Sequence, residues 1–187
     1  AVASGLATSS GVSSGGQAIA VGGDIADEHA MADAFAAAHD RFGGVDVVAH
    51  TAGIMSLAPI ADMDLEMFDR MQRVNVRGTF VVDQLAAREV RAGGAIINFS
   101  TSVTRLQMPG YGASAASTAA VESLTPILAR EPRRRDVTVH ALAPGPPATP
   151  PFFDGQSPDA VAHTASPHPI QPLGPPQAPP GGPAFLP

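Results

Sequence analysis

The sequence contains no cysteine, no tryptophan and no lysine, and it has a single tyrosine, Tyr111. The absence of cysteine excludes disulfides, thiolate catalysis and cysteine-ligated zinc. No apolar run reaches the roughly 18 residues of a membrane span, so we expect no contact with a membrane. The net charge of −6 at pH 7 leaves no broad basic face, so we expect no binding to nucleic acid. The six histidines show no metal-ligand spacing, and we predict no metal site.

The chain divides by composition into three segments. Residues 1–16 are rich in Ser, Gly and Ala and are predicted to be a flexible remnant. Residues 17–149 alternate short apolar runs with helical patterns and form the predicted folded domain. Fifteen of the nineteen prolines lie from Pro144 to Pro187, so residues 150–187 are predicted to be a disordered tail. Since the first fourteen residues lack the charged and apolar regions of an export signal, we expect a cytoplasmic location.

Apolar runs and helical patterns alternate in the folded segment. Four apolar runs predict buried strands, at 18–21, 45–49, 95–99 and 137–143. The helical patterns lie between Asp27, a capping residue, and Gly43-Gly44, over 65–91 before Gly93-Gly94, and over 114–130. Apolar strands that alternate with helices predict an α/β fold with a parallel sheet covered on both faces. Ligands of such sheets bind beyond the carboxyl ends of the strands.

Short motifs of small and polar residues follow these predicted elements. They are Gly23-Asp24-Ile25, His50-Thr51-Ala52-Gly53, Asn75-Val76-Arg77-Gly78, Ser100-Thr101-Ser102, the segment from Tyr111 to Thr118, and Ala143-Pro144-Gly145. In this order and spacing, over about residues 14–155, the chain resembles the classical short-chain dehydrogenase/reductase family. The resemblance implies a Rossmann-type doubly wound parallel sheet, an NAD(P) cofactor and a small carbonyl or alcohol substrate.

The resemblance also assigns roles to individual residues. Nine of them would contact the cofactor: Asp24 and Ile25 at the adenine, His50, Thr51, Ala52 and Gly53 at the ribose, and Pro144, Gly145 and Thr149 at the nicotinamide. Asn75 matches the asparagine that holds a water in the family's proton relay. Ser102 matches the serine that binds the substrate carbonyl, with Ser100 as a less favoured candidate. Ser114 and Thr118 occupy the slots of the family's catalytic tyrosine and lysine.

These last two substitutions remove the expected proton donor. A phenol with a pKa near 10 protonates an alkoxide only when a neighbouring cation lowers that pKa. The Ser114 hydroxyl is a far weaker acid, and Thr118 carries no charge. Tyr111 does not replace the pair, because it lies nearly one helical turn too early and the chain has no lysine. His50 and His140 stand where the family commonly has asparagine, either as a new acid or base or as substituted turn residues.

The resemblance exposes wider losses from the fold. The family begins with a strand, a glycine-rich loop that binds pyrophosphate, a helix and a second strand. Only nineteen positions separate Gly5 from Asp24, which is too few for the helix, the second strand and the elements that join them. We therefore predict a sheet that lacks the first two strands. We predict that it also lacks the family's last strand. The run at 18–21 would then have to pair elsewhere, hang free or pair with another chain. Pro126 and Pro132 would strain the helix over 114–130.

Two functions from different classes remain open. One is an NAD(P)-dependent carbonyl or alcohol oxidoreductase that is impaired or uses an unconventional acid. The other is a non-catalytic family member, a pseudoenzyme that binds a ligand or forms homo- or hetero-oligomers with intact family chains. The chemistry at Ser114 and Thr118 favours the second.

Overall fold

The computed structural model describes residues 16–131 and 136–144. Three parallel strands form one sheet in the order β1-β2-β3, namely β1 (Val45–His50), β2 (Val90–Phe99) and β3 (Thr138–Leu142). The helices are α1 (Glu28–Phe42), α2 (Leu65–Met71), a π-helical stretch (Gln72–Gly78), α3 (Thr79–Glu89), α4 (Val103–Leu106) and α5 (Gly112–Leu128). A 3₁₀ turn covers Ile60–Asp62. The α/β class and the truncated parallel sheet agree with the sequence prediction.

Helix α1 begins and ends where local signals predict. The Asp27 side chain accepts hydrogen bonds from the backbone N–H groups of His29 and Ala30. Gly43 ends the helix with φ of +79°, a left-handed conformation that glycine adopts without strain. These signals are local, so they are readable without knowledge of the tertiary structure.

The predicted strand at 18–21 is wrong. Residues 16–24 have no regular structure and lie outside the sheet, with Ile19 41% and Val21 38% exposed. A strand is stable only when its backbone groups pair with a neighbouring strand. No described segment offers that pairing, so the apolar pattern alone does not produce a strand.

The boundary at Gly93-Gly94 is also wrong, because these glycines lie within β2. Helix α3 ends at Glu89, and the fully buried Val90 starts the strand. A Cβ atom at Gly94 would collide with the backbone oxygen of Asp46 on β1. The glycine therefore permits close approach of two strands, next to the shift in β1–β2 register between Val45 and Val47.

The helical pattern at 65–91 corresponds to a continuous helical run from Leu65 to Glu89 with a π-helical stretch in the middle. Such stretches are rare and often lie at functional sites. Here the stretch contains Asn75, which is 5% exposed. The sequence pattern predicts the helix but not this change of helical geometry.

The hydrophobic core lies between β2, β3 and the C-terminal parts of α3 and α5. It contains Ala86, Val90, Ile96, Leu128, Val137 and Val139. Helix α5 continues through Pro126 to Leu128. The proline has no N–H to donate to the carbonyl of Glu122, yet it does not interrupt the helix. Pro132, the segments 1–15 and 145–187, and the predictions made for them lie outside the described residues. None of the helices in the described ranges is long and apolar enough to cross a bilayer.

Candidate functional site

A cavity of about 230 Å³ lies at the carboxyl ends of β1 and β2, beside the N-terminal half of α5. Six of the predicted site residues line it, namely Thr51, Ala52, Gly53, Asn75, Ser114 and Thr118. Parallel strands place their carboxyl ends at one edge of the sheet, which explains why motifs distant in sequence meet there. Within residues 16–131 and 136–144, the lining contains hydroxyl, amide and apolar groups and no Asp, Glu, His, Lys or Arg side chain.

The Asn75 carboxamide ties three elements together. Its Nδ2 donates to the backbone oxygen of Ile54 at 2.9 Å and to Ser117 Oγ at 3.0 Å. Its Oδ1 accepts from the backbone N–H of Ile54 at 2.9 Å. Both amide hydrogens are therefore engaged by protein, and Oδ1 keeps one lone pair for a further donor. The predicted water-holding role stays a prediction.

Gly53 leaves the space that this network needs. A Cβ atom at Gly53 would lie 3.3 Å from Asn75 Oδ1, which is tighter than an ordinary contact. The small residue thus allows the loop after β1 to lie directly against the π-helical stretch. The sequence prediction placed the same glycine beside a cofactor ribose, and the two uses of a missing side chain are compatible.

The hydroxyls of Ser117 and Thr118 bond within their own helix, to the backbone carbonyl of Ser114. Ser117 Oγ donates to the Ser114 carbonyl at 2.9 Å, and Thr118 Oγ1 donates to the same carbonyl at 2.8 Å. Ser114 is 4% exposed. A hydroxyl that already donates its proton to a carbonyl is a poor proton donor to a ligand, and the described lining holds no cation to assist it.

A second hydroxyl network, missed by the sequence prediction, lies at the other side of the cavity. Ser100 Oγ donates to Glu122 Oε1 at 2.5 Å, and Thr104 Oγ1 lies 3.0 Å from the same oxygen. Ser100, the less favoured serine candidate, lines the cavity. Glu122 follows Thr118 by one helical turn on α5, and that spacing is the signal that could have identified it.

Ser102, the favoured serine candidate, caps a short helix. It precedes α4, its backbone oxygen accepts from the backbone N–H groups of Arg105 and Leu106, and it does not line the cavity. Its predicted contact with a substrate carbonyl stays a prediction. The structure brings Ser100 closer than Ser102 to the other site residues.

His50 is a buried link between β1 and the following helices. Its Nε2 lies 3.0 Å from Thr79 Oγ1, and Thr79 Oγ1 donates to the backbone oxygen of Asn75 at 2.6 Å. The threonine proton is thus in use, so the imidazole Nε2–H is the donor in the first contact. Burial lowers the pKa of His50, which favours the neutral ring.

The predicted adenine-binding pair, Asp24 and Ile25, lies away from the cavity. Asp24 accepts from the backbone N–H of Ala26 at 2.9 Å and from Arg73 Nη1 at 2.6 Å. The backbone hydrogen bond and then the bond from Arg73 lower the pKa of Asp24. Ile25 covers Gly78, where an added Cβ atom would lie 2.6 Å from Ile25 Cδ1. This segment is therefore fixed to the π-helical stretch.

The described residues fit one end of a dinucleotide. Thr51, Ala52 and Gly53 are exposed and line the cavity, as the ribose and nicotinamide end requires. Pro144 is exposed at the end of β3 and does not line the cavity, while Gly145 and Thr149 lie outside the described residues. Within the described ranges, no three His, Asp or Glu side chains converge to hold a metal ion.

Comparison with known proteins gives consistent results. A family profile described as Enoyl-(Acyl carrier protein) reductase matches residues 5–179. The chain is 38% identical over 164 residues to a short-chain type dehydrogenase/reductase of Picea abies, covering 86% of this chain and 60% of that protein. It is 38% identical over 165 residues to an NADPH-dependent aldehyde reductase-like protein, chloroplastic, of Arabidopsis thaliana, covering 86% and 61%.

Solved structures give the same result for the fold. A dehydrogenase/reductase from Sinorhizobium meliloti superposes with a TM-score of 0.79 at 30% identity, covering 88% of this chain and 65% of that one. A short chain dehydrogenase from Burkholderia cenocepacia in complex with NADP superposes with a TM-score of 0.73 at 33% identity, covering 81% and 62%. The chain spans about three-fifths of the length of the curated relatives that it matches. The chain belongs to the short-chain dehydrogenase/reductase family.

Proposed function

We propose that this chain is a non-catalytic member of its family, a pseudoenzyme that acts by binding. The observation that carries the proposal is the chemistry of the cavity lining, which among the described residues offers no side chain that ionises near neutral pH. Reduction of a carbonyl needs a proton for the developing alkoxide, and a positioned acid supplies it. The Ser114 hydroxyl is a far weaker acid than the family's phenol, and the Thr118 hydroxyl already donates to the Ser114 carbonyl.

The proposed ligand is a small neutral molecule with hydrogen-bonding groups. Exposed Thr51 and half-buried Thr101 and Thr118 surround the cavity, and its volume of about 230 Å³ suits a compact molecule. A charged ligand would enter a lining without a counter-ion, which is unfavourable. A carbonyl or alcohol of the type that the family transforms meets these requirements without being transformed.

We propose that association with another family chain, identical or intact, uses an apolar groove beside α5. The groove has a volume of about 690 Å³ and is lined in part by Val76, Phe80, Leu124 and Ile127. Phe80 is 52% and Ile127 56% exposed, although both are large apolar side chains. Contiguous exposed apolar surface of this kind is typical of protein interfaces.

Titration of the purified chain with NADPH and with NADH, followed by nucleotide fluorescence, tests the proposal. We expect no saturable binding below millimolar concentration and no oxidation of NADPH with aldehydes or ketones. Micromolar binding would contradict the expectation that the cofactor crevice is incomplete. Turnover would contradict the proposal, whatever the affinity.

One observation favours a second candidate, an oxidoreductase with an unconventional acid. Ser100 lines the cavity, and its hydroxyl bonds to the Glu122 carboxylate, the one carboxylate among the described residues that bonds to a lining hydroxyl. A nicotinamide cofactor would supply hydride exchange, and the serine–glutamate pair would hold the exchanged proton. Turnover that Glu122→Gln abolishes would favour this candidate.

The cytoplasmic location predicted from the sequence belongs to the proposal as well. The name of the Arabidopsis thaliana relative describes that protein as chloroplastic. Fractionation of cells that express a tagged full-length gene tests the location, and enrichment in an organelle would contradict it.

A further inference from the structure

A buried polar cluster joins β2, α3 and α5 beneath the candidate site. It consists of Asp83 on α3, Asn98 on β2 and Thr125 on α5, which are 5%, 0% and 4% exposed. Asn98 Nδ2 donates to Asp83 Oδ2 at 2.9 Å and to Thr125 Oγ1 at 3.3 Å. Thr125 Oγ1 in turn donates to the backbone oxygen of Val121 at 2.9 Å. The cluster thus links three elements through one amide.

The cluster is one hydrogen short of satisfying its oxygens. Both amide hydrogens of Asn98 and the hydroxyl hydrogen of Thr125 are already donated. Asp83 Oδ1 and Asn98 Oδ1 are buried and have no hydrogen-bond partner. A buried polar atom without a partner destabilises the folded state. A proton on the Asp83 carboxyl group would add the donor that this cluster lacks.

We propose that Asp83 is a proton-binding site, in which a proton on Oδ1 lets the carboxyl group donate to Asn98 Oδ1. The acid and the amide then form two parallel hydrogen bonds, one donated by each side chain. Both unpartnered oxygens gain a partner in this arrangement. Loss of the proton removes one of the two bonds and leaves a buried negative charge between α3 and β2.

The electrostatic surroundings support proton uptake. Burial raises the pKa of Asp83 to about 6, against a smaller lowering by the hydrogen bond from Asn98. Arg88 on α3 and Glu131 after α5 line a cavity together with Asp83. Three other ionisable groups on neighbouring elements have hydrogen-bond partners: Glu122 bonds to Ser100, Arg91 to Asp46 and His50 to Thr79. The α1 residues Asp33, His39 and Asp40 are exposed. His140 is half-buried on β3.

The sign of the pH dependence follows from the direction of the shift. The folded-state pKa of Asp83 lies above its unfolded value of 3.8. Protons therefore bind preferentially to the folded state, and the stabilisation is complete below the unfolded pKa. It is lost as the pH rises through about 6. Acidification to this range is thus expected to tighten the contact of β2 with α3 and α5, the opposite of ordinary acid denaturation.

Denaturant unfolding of the wild type and of Asp83→Asn, from about pH 4.5 to about pH 8, tests the proposal, since asparagine reproduces both hydrogen bonds without a proton. The ratio of the wild-type unfolding constant to the variant's is expected to rise roughly 10- to 30-fold over this range. The exposed Asp46→Asn serves as a matched control. Its ratio should stay nearly constant, because hydrogen bonding to Arg91 lowers the pKa of Asp46 and this carboxylate is largely ionised in both the folded and the unfolded state across the range. A ratio for Asp83→Asn that stays constant would overturn the proposal.

A measurement on the wild type alone covers the case in which Asp83→Asn does not fold. Carbon-detected NMR follows the Asp83 carboxyl directly as the pH changes. A titration midpoint well above the ordinary aspartate value, at about 6, supports the proton-binding site. A midpoint at or below the unfolded value would overturn it, even if the protein remained folded throughout.

Discussion

The two sides of the candidate site differ in what they retain. On the Asn75 side, each polar group of the carboxamide has a partner, and Ile54, Ser117 and Gly53 hold the loop after β1 against the π-helical stretch. On the α5 side, Ser114 and Thr118 stand where the family has an acid and a cation. The Asn75 carboxamide is thus tied into the fold by several hydrogen bonds, and we expect its replacement to lower stability more than replacement of Ser114 or Thr118.

We expect the largest loss of stability when the carboxamide of Asn75 is removed. Asn75→Ala leaves buried groups of Ile54 and Ser117 without partners, so we expect a loss of about 2–4 kcal/mol in the free energy of unfolding. Urea denaturation followed by circular dichroism measures it. The exposed amide Gln84→Ala on α3 is the control and should change stability by less than about 0.5 kcal/mol. Equal losses of stability for Asn75→Ala and Gln84→Ala would show that the Asn75 carboxamide has no special structural role.

A smaller loss is expected at the His50 contact. Thr79→Val keeps the shape of the side chain but removes the acceptor for His50 Nε2 and the donor to the Asn75 carbonyl. We expect a destabilisation of about 1–3 kcal/mol, because a buried imidazole N–H loses its partner. Unfolding at neutral pH measures it. The exposed Thr51→Val is the control. Wild-type stability of Thr79→Val would show that the linkage is dispensable.

The ion pair at the adenine side should contribute less. Arg73 and Asp24 are 51% and 47% exposed, and such pairs contribute about 0–1 kcal/mol. Arg73→Ala should therefore lower stability only slightly, and added salt should reduce the difference. Thermal unfolding at low and high ionic strength measures both effects. A loss as large as that of Asn75→Ala would show that this segment is as structural as the cavity edge.

The smallest expected effect is on catalytic activity, which we expect to remain absent. The double variant Ser114→Tyr/Thr118→Lys restores the family's acid and cation, yet we expect no NADPH-dependent reduction of carbonyls. The strand and glycine loop that hold the pyrophosphate in the family are not part of the described sheet. Spectrophotometric assay of NADPH oxidation measures it, with Ser114→Phe/Thr118→Met as a control of similar size. Turnover by the tyrosine–lysine variant, and not by its control, would show that proton transfer is the only catalytic function that the wild-type chain lacks.

Sequence alone predicts the elements whose signals are local. The Asp27 cap and the Gly43 terminus were readable because each depends on a few adjacent residues. The apolar runs of β1 and β3 were also predicted, and both find a partner in β2. The run at 18–21 finds no such partner among the described residues, and strand formation depends on a neighbour elsewhere in the chain.

The candidate site was also predicted only in part from the sequence. Register with the family grouped Asn75, Gly53, Ser114 and Thr118 into one predicted site, and in the structure these residues line one cavity. It did not reveal the contacts of Ser100 with Glu122 or of Asp83 with Asn98, which join residues 22 and 15 positions apart on different elements. The helical spacing of Glu122 from Thr118 was a usable signal for Glu122, but no local pattern in the sequence indicates that Asp83 and Asn98 are in contact.

The most direct test of the central claim is the oxidation of NADPH by the wild-type chain with a panel of aldehydes and ketones, measured at high enzyme concentration near neutral pH. We expect a rate of NADPH oxidation equal to that without protein, because the described lining of the cavity offers no acid to protonate the alkoxide. A rate above that background, lost in Glu122→Gln or in Ser100→Ala, would contradict it and identify the chain as an enzyme with a relocated proton donor.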